Sequence, residues 1–461
     1  MQNVKKKKAA IRIWAILIWL VIWQIAAMAA DMPIFFVTPL EVIKRLGELI
    51  ITAEFWTSAL YTLLHIMAGF FLALVTAVVL ASLASRYKAV GEFVAPPMLA
   101  IRSVPVVSFI ILALICFSSK HLAILISFLM VLPILYSSIL TGIKQTDREL
   151  LQMADVFRLT SGRRIRYIYI PQVYPYFMSA CASAVGIAWK SGCAAEVIGI
   201  PQGSIGEKLQ EAKIYLETPD LFAWTLLIVV LSMVTEKVIF GLIREGYKLS
   251  QRMTDRKEKP DETDRAKLDN IQAEGLGKSY GQQKVLDRFS IDIPDGKITV
   301  IMGESGCGKT TLLNILEGLE EADCGKVSGL EGKHIAAVFQ EDRLLEHLSA
   351  EDNIRLTASE VSKEEIREGM QRTRLLSEQE SGKSVADFSG GMKRRTALLR
   401  ALLSDWDVLL LDEPFKGLDT ETKAEVSSYL QEKTRGKTVL MVTHDEEEAM
   451  KMATGSIINL K

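Results

Sequence analysis

Cysteine is scarce and unpatterned. Five stand in 461 residues, Cys116, Cys181, Cys193, Cys307 and Cys324, with neither paired spacing nor that of a metal site. This argues against a disulfide framework or a zinc module and points to reduced thiols in membrane or cytosol. A dominant charge is missing too. Fifty-four Lys and Arg face 55 Asp and Glu, a formal net of −1, so no basic field argues for nucleic acid as a partner. No internal repeat and no long low-complexity tract is present.

What is present is divided near residue 250: membrane-like before it, an ordinary charged globular mix after it. The length admits two or three domains. Six apolar segments precede the division, at 10–30, 55–84, 98–117, 121–142, 173–191 and 221–243. Each nears or exceeds the ~20 residues a helix needs to cross a bilayer. Lysines 5–8 precede the first segment, whose run to Ala30 exceeds the about 7–15 residues of a signal peptide, so a retained anchor is expected. Pro105 and Pro133 are expected to kink their helices rather than end them. With the N-terminus inside, loops 1–12, 85–97 and 143–172 hold thirteen Lys and Arg against five in the outer loops. The positive-inside rule then places both ends of the membrane half in the cytosol. In the outer loop 31–54, Leu40, Ile43, Leu46, Leu49 and Ile50 share one helical face, a short helix lying on the surface or packed on the bundle. The outer loops are shorter than the ~50 residues a separate external domain needs. Residues 250–267 have almost no apolar content and read as a solvated linker.

Beyond the linker, one stretch carries the strongest chemistry: Gly303, Glu304, Ser305, Gly306, Cys307, Gly308, Lys309, Thr310 and Thr311. An apolar strand at 298–302 precedes it and a helix start follows, the context that a phosphate-binding loop requires. Glycines let successive N–H groups turn inward on a phosphate beside a helix N-terminus. Lys309 would supply the cation for the β/γ-phosphates and Thr310 an oxygen for Mg²⁺. The other reading is a merely structural glycine turn.

Further strands at 335–339, 408–411 and 438–442 alternate with helices, an α/β arrangement with the ligand at the strands' C-terminal ends. Asp412 and Glu413 end the all-apolar 408–411 run, placed to hold Mg²⁺ and to polarise an attacking water, or merely to cap a helix. Gln340 ends its own strand within reach of metal and water, and His444 ends another within reach of a γ-phosphate. Tyr280 offers a ring that could stack on adenine or pack in a core. Ser389, Gly390 and Gly391 open a second helix N-terminus, a second anion site or a plain turn. A single subunit cannot bring two distant termini to one nucleotide, so the two are expected to meet across a dimer.

The order of phosphate loop, Gln340, Ser389-Gly390-Gly391, Leu411-Asp412-Glu413-Pro414, Gly417-Leu418-Asp419 and His444 resembles ATP-binding-cassette (ABC) ATPases over about residues 268–461. The resemblance implies that ATP is bound by Lys309, that Thr310, Gln340 and Asp412 serve Mg²⁺, and that Glu413 is the general base. It also implies that Ser389-Gly390-Gly391 touch the γ-phosphate held by a partner subunit. Phe388 and Met392 stand where the family has leucine and glutamine. Little sequence follows His444, and no C-terminal regulatory domain is expected. In the membrane half, Gln152-Met153-Ala154, a basic helix and Pro171 resemble the permease loop by which bacterial importers dock on their ATPases. There Gln152, Met153 and Arg158 replace the family's glutamate, alanine and glycine. Ala188-Trp189-Lys190-Ser191-Gly192 and Ala194-Ala195-Glu196 are similar to permeases of the nitrate/sulfonate/taurine family, whose members also carry thiamine-precursor pyrimidines.

The resemblances together imply an all-α membrane permease fused to an α/β P-loop ATPase, with 1–249 the permease, 250–267 the linker and 268–461 the ATPase. Such a chain is expected to work as a homodimer in the inner or plasma membrane, its ATPase cytoplasmic. An extracytoplasmic substrate-binding protein would deliver a small anionic or heterocyclic solute. Two other readings are an exporter half-transporter and a membrane-anchored ATPase without a pathway; short cytoplasmic segments and short outer loops weigh against them. His65 and Lys190 are ionisable groups in apolar surroundings. Lys190 either lines the route or pairs with Glu196.

Overall fold

The structure, a computed structural model, describes residues 2–30, 36–251, 270–304, 306–358, 360–375 and 382–460, with side chains of 14–29 in the first helix. Ser305 and all of the linker after Gln251 lie outside the described residues. The chain forms two compact units, 1–145 with 172–250, and 146–171 with 251–461. One boundary between the units falls at 250–251, and the segment 146–171 groups with the second unit.

The helices of the first half are α1 (Gln2–Ala30), α2 (Pro39–Ile50), α3 (Ala53–Arg86), α4 (Lys88–Ser103), α5 (Val106–Cys116), α6 (Ser119–Lys144), α7 (Arg148–Val156), α8 (Ser161–Arg163), α9 (Ile170–Gly199), α10 (Ile205–Ile214) and α11 (Thr218–Gln251). A π-helical stretch, Arg164–Tyr169, joins α8 to α9. Each of the six apolar segments lies on a helix: α1, α3, the α4–α5 pair, α6, α9 and α11 in turn. Among the described residues, α3, α6 and α11 are each long and apolar enough to cross a membrane, and α4–α5 would be a fourth span if taken as one.

The two prolines behave differently. Pro133 lies inside α6, which continues past it. At Pro105 the helix does not merely kink, as expected, but breaks: α4 and α5 meet at 107°. The ring of Pro105 forces Val104 out of the helical region, to φ −85° and ψ 133°, and Pro105 itself caps α5. Most of the expected loop 85–97 is α4.

The outer-loop helix is α2, fixed by a reciprocal cap in which Glu41 N donates to Thr38 Oγ1 and Thr38 N to Glu41 Oε2. Its apolar face is split. Leu46 and Leu49 pack with Phe55, Ala59, Ile205 and Trp224, and Val42 is buried, whereas Leu40 and Ile43 stay 69% and 58% exposed. Small residues let α3, α6 and α9 approach closely. A Cβ on Gly69 would lie 2.4 Å from Ile124 O, and one on Gly192 2.7 Å from Ser127 Oγ.

The second unit contains β1 (Ile271–Tyr280), β2 (Gln283–Ile293), β3 (Ile298–Met302), α12 (Lys309–Leu316), β4 (Cys324–Ser328), β5 (Ile335–Val338), α13 (Ala350–Arg355), α14 (Lys363–Arg372), α15 (Gly390–Leu402), β6 (Val408–Asp412), α16 (Thr420–Lys433), β7 (Thr438–Val442), α17 (Glu446–Met452) and β8 (Ile457–Asn459). A parallel sheet runs β5-β6-β7-β3-β8, beside a small antiparallel sheet β2-β1-β4. All five residues of β6 are buried, as a parallel strand covered on both faces requires.

Segment 146–171 is built into this unit. Met153, Ala154, Leu159 and Ile168 are buried in one hydrophobic cluster with Ile271, Leu312 and Leu348. Arg158, where the family has glycine, keeps a left-handed backbone at φ 48°. Its Nη2 donates to Lys333 O at 2.8 Å, and Arg163 Nη1 to Leu356 O at 2.9 Å. Replacing Arg158 by Ala removes the bond and keeps the strain, a loss of about 1–3 kcal/mol. Replacing it by Gly relieves the roughly 1 kcal/mol of left-handed strain at the same time. Thermal unfolding should therefore rank wild type and Arg158→Gly close together, with Arg158→Ala clearly lower.

Candidate nucleotide-binding site

Four neighbouring strands of the parallel sheet deliver the site from their C-terminal ends. Strand β3 leads into the loop 303–308, β5 into Gln340, β6 into Asp412-Glu413 and β7 into His444. The sequence separates these groups by up to 141 positions; the order β5-β6-β7-β3 brings them to one edge.

The loop curls as its glycines allow. Gly306 and Gly308 have φ of 88° and 99°, where a side chain is strained. A Cβ on Gly303 would lie 2.5 Å from Leu460 O, and one on Gly308 2.8 Å from Val285 O. Lys309 opens α12 and is buried, its Nζ donating to Gly303 O at 2.8 Å and Glu304 O at 2.6 Å. The ammonium is thereby pinned over the loop. Cys307 Sγ lies 3.7 Å from the same Nζ. Thr310 Oγ1 donates to Asp412 Oδ2 at 2.9 Å. These two oxygens are the hard donors that Mg²⁺ prefers, so the residues present fit the ion. Burial pushes the Asp412 carboxyl up, and neighbouring Glu413 adds to this against the pull of Thr310.

Glu413 adopts φ 48°, a strained backbone for a non-glycine residue. It is held there because its N–H donates to Val442 O at 2.9 Å while Arg394 Nη2 donates to its carbonyl at 2.8 Å. Its Oε1 meets His444 Nδ1 at 3.0 Å, and Lys416 lies 3.4 Å from Oε2. Burial raises the Glu413 carboxyl, but His444 and Lys416 outweigh it and leave the pKa below the ordinary value. Glu413 is thus an ionised carboxylate at neutral pH, the form a base requires. A cavity of about 120 Å³ joins Thr310, Asp412 and Gln340 to Glu149, Glu341 and Arg343. Glu149 comes from α7, so the 146–171 segment forms part of the wall beside the Thr310 and Asp412 oxygens.

Tyr280 ends β1 half exposed, its hydroxyl donating to Glu320 Oε1 at 2.6 Å, with Thr311 nearby. The ring is an accessible platform beside the phosphate loop's helix. Ser389 caps α15, accepting from Met392 N at 3.4 Å; Ser389 and Gly390 are exposed, and a Cβ on Gly391 would meet Gly417 O at 3.2 Å. Among the described residues, no hydrogen bond joins them to the phosphate loop of the same chain. The two departures from the family pattern are packing choices: Phe388 is buried in the core and Met392 packs against it.

Sequence reasoning missed Arg394. It is buried on α15 and donates to Phe339 O at 2.6 Å, Asp342 Oδ1 at 3.0 Å, Glu413 O and Asp412 O. One guanidinium thus fixes the backbone on both sides of the site. The only signal was the basic run 393–395 after the glycine pair. In the first unit, Glu196 is buried and accepts from Thr62 Oγ1 at 2.7 Å and from Gly206 N, whereas Lys190 is exposed. Among the described residues no ion pair links the two, so the pairing alternative is not the one adopted.

Comparison with known proteins gives two family matches on the one chain. Residues 286–416 match the model described as "ABC transporter", and residues 66–244 the model for a binding-protein-dependent transport system inner membrane component. Over 195 residues the chain is 38% identical to an aliphatic sulfonates import ATP-binding protein of Zymomonas mobilis, covering 40% of this chain and 79% of that one. It is 37% identical over 211 residues to a sulfate/thiosulfate import ATP-binding protein of Acinetobacter baylyi, covering 41% of this chain. It is 34% identical over 203 residues to a spermidine/putrescine import ATP-binding protein of Pasteurella multocida, covering 41% of this chain. The chain spans 59% of the Acinetobacter protein's length and 55% of the Pasteurella protein's.

Proposed function

This chain belongs to the ABC transporter family, and from that premise we propose that it is an ATP-driven importer subunit, permease and ATPase in one polypeptide, working as a homodimer. The observation that carries the reading is segment 146–171. It leaves the membrane unit after α6, is buried in the ATPase unit through Met153, Ala154 and Ile168, and lines the cavity of Thr310, Gln340 and Asp412 with Glu149. A change in that cavity would be felt directly by a segment continuous with α6 and α9. The match of residues 66–244 to an inner membrane component of binding-protein-dependent transport systems supports inward transport, with a separate extracytoplasmic binding protein delivering the solute.

In the proposed reaction ATP is the substrate. Lys309 and the N–H groups of the loop hold its phosphates, and Tyr280 receives the base. Thr310, Gln340 and Asp412 would hold Mg²⁺, which neutralises charge building on the phosphates. Glu413 takes the proton of the attacking water, and His444, fixed against Glu413, contacts the γ-phosphate. Ser389, Gly390 and Gly391 of the second copy close over that phosphate. The α15 N-terminus suits this role, because Ser389 and Gly390 are exposed there and a helix N-terminus attracts an anion. Closure and reopening of the two ATPase units would then alternate access through the membrane helices.

The transported solute is proposed as a small anion such as a sulfonate or nitrate, or a thiamine precursor. The exposed Lys190 supports an anion, and the sulfonate and sulfate names among the relatives agree with it. The polyamine name does not, so the ATPase likeness leaves the solute open. The proposed location is the inner or plasma membrane with the ATPase unit cytoplasmic. The reading is tested by uptake into liposomes of labelled alkanesulfonate, nitrate or pyrimidine with the cognate binding protein outside and ATP inside. Cys307 offers a second check: a bulky maleimide is expected to block ATP binding, with ATP protecting the thiol. Normal ATP binding after complete modification of Cys307 would remove the loop from the site.

A further inference from the structure

Arg400, near the end of α15, is fully buried, and among the described residues no carboxylate lies within salt-bridge distance of it. The nearby Asp342 carboxylate is taken by Arg394. Arg400 spends its donors on backbone instead: Nη1 donates to Arg343 O at 2.6 Å and Nη2 to Asp342 O at 3.1 Å, while Nε has no partner. A buried cation without a counter-ion is costly. Its compensation is the ring of Phe157, whose centroid lies 5.2 Å from the guanidinium carbon.

The placement of these two residues gives the contact its meaning. Arg394 grips residues 339 and 342, and Arg400 grips 342 and 343, so one helix clamps the turn that carries Gln340. The same helix opens at Ser389-Gly390-Gly391. Phe157 lies just past α7, and its ring packs against both hydrophobic cores of the unit. Any shift of residues 339–343 when Gln340 engages metal and water must move the carbonyls that Arg400 holds, and Arg400 in turn bears on Phe157.

Resting on the ATPase reading above, we propose that Phe157 is a positioning residue that reads the nucleotide state of the Gln340 turn through Arg400 and passes it to segment 146–171. The aromatic face is what matters, since an aliphatic side chain of similar bulk fills the space without holding the cation.

The test uses the full chain in lipid nanodiscs carrying Glu413→Gln, with Mg-ATP binding and hydrogen exchange of the 148–163 amides measured on the same samples. The parent is expected to change exchange in 153–159 when Mg-ATP binds. Phe157→Leu should bind Mg-ATP as the parent does and lose that change, and Phe157→Trp should restore it. A merely structural role would raise exchange in both states and keep the ATP-dependent difference; that result overturns the proposal. So does a parent that binds Mg-ATP with no change in 153–159. A parent that binds no Mg-ATP overturns the ATPase reading itself, and the proposal with it.

Discussion

Glu413→Gln is expected to bind Mg-ATP with near wild-type affinity and to hydrolyse it about 10²–10⁴-fold more slowly, the range a general base contributes. The amide is isosteric, so the left-handed turn at φ 48° and the bonds that fix it, to Val442 and from Arg394, are retained. What is lost is the acceptor for the water's proton. His444 keeps a partner at the same 3.0 Å position, because an amide oxygen still accepts from an imidazole N–H. Steady-state phosphate release and equilibrium ATP binding measured together decide the matter. Hydrolysis within a few-fold of wild type would move the base elsewhere, and weak ATP binding would make Glu413 a ligand rather than a base.

Lys309→Ala is expected to act at the earlier step. The ammonium is pinned by the loop's own carbonyls, those of Gly303 and Glu304. Removing it deletes charge-assisted bonds to phosphate worth about 2–4 kcal/mol in all, a roughly 30- to 1000-fold loss of ATP affinity. Lys309→Arg is not a conservative rescue. Lysine presents a compact point charge, and a planar fork does not fit the two carbonyl contacts at 2.6 and 2.8 Å. A binding titration with a fluorescent ATP analogue reads the effect directly, and the melting temperature of each variant without nucleotide checks that the fold is intact. Near wild-type affinity in Lys309→Ala would leave the phosphate without its cation.

The parts of this site that were legible in the sequence are those whose chemistry is local. Gly303–Thr311 identifies itself because glycine spacing, lysine and hydroxyl are contiguous. Asp412 and Glu413 were legible because an all-apolar strand ends on them. Arg394, Arg400 and Phe157 were not. Beside the Asp342 carboxylate, their partners are backbone carbonyls and a ring–guanidinium contact across 243 positions, and a carbonyl leaves no mark in a sequence. Arg158 was visible only as a departure; that it keeps the left-handed turn of a glycine is a fact of the backbone. Pro105 was seen, but the outcome depended on neighbours that a single chain of letters does not name. α6 continues through its proline, whereas Val104, held extended before Pro105, turns the chain by 107°.

The central claim is that each ATP site is built from two copies, Lys309 of one and Ser389-Gly390-Gly391 of the other. It is tested most directly by mixing chains. In a Glu413→Gln background, copies carrying Lys309→Ala are coexpressed with copies carrying Ser389→Arg. Doubly tagged mixed dimers are then isolated, and the Mg-ATP retained after rapid desalting is measured. Either homodimer should retain none, since each has both sites broken. The mixed dimer should retain a single ATP, because an intact Lys309 and an intact Ser389 meet at one site only. Retention by the Ser389→Arg homodimer equal to the parent, or none in the mixed dimer, would contradict the account.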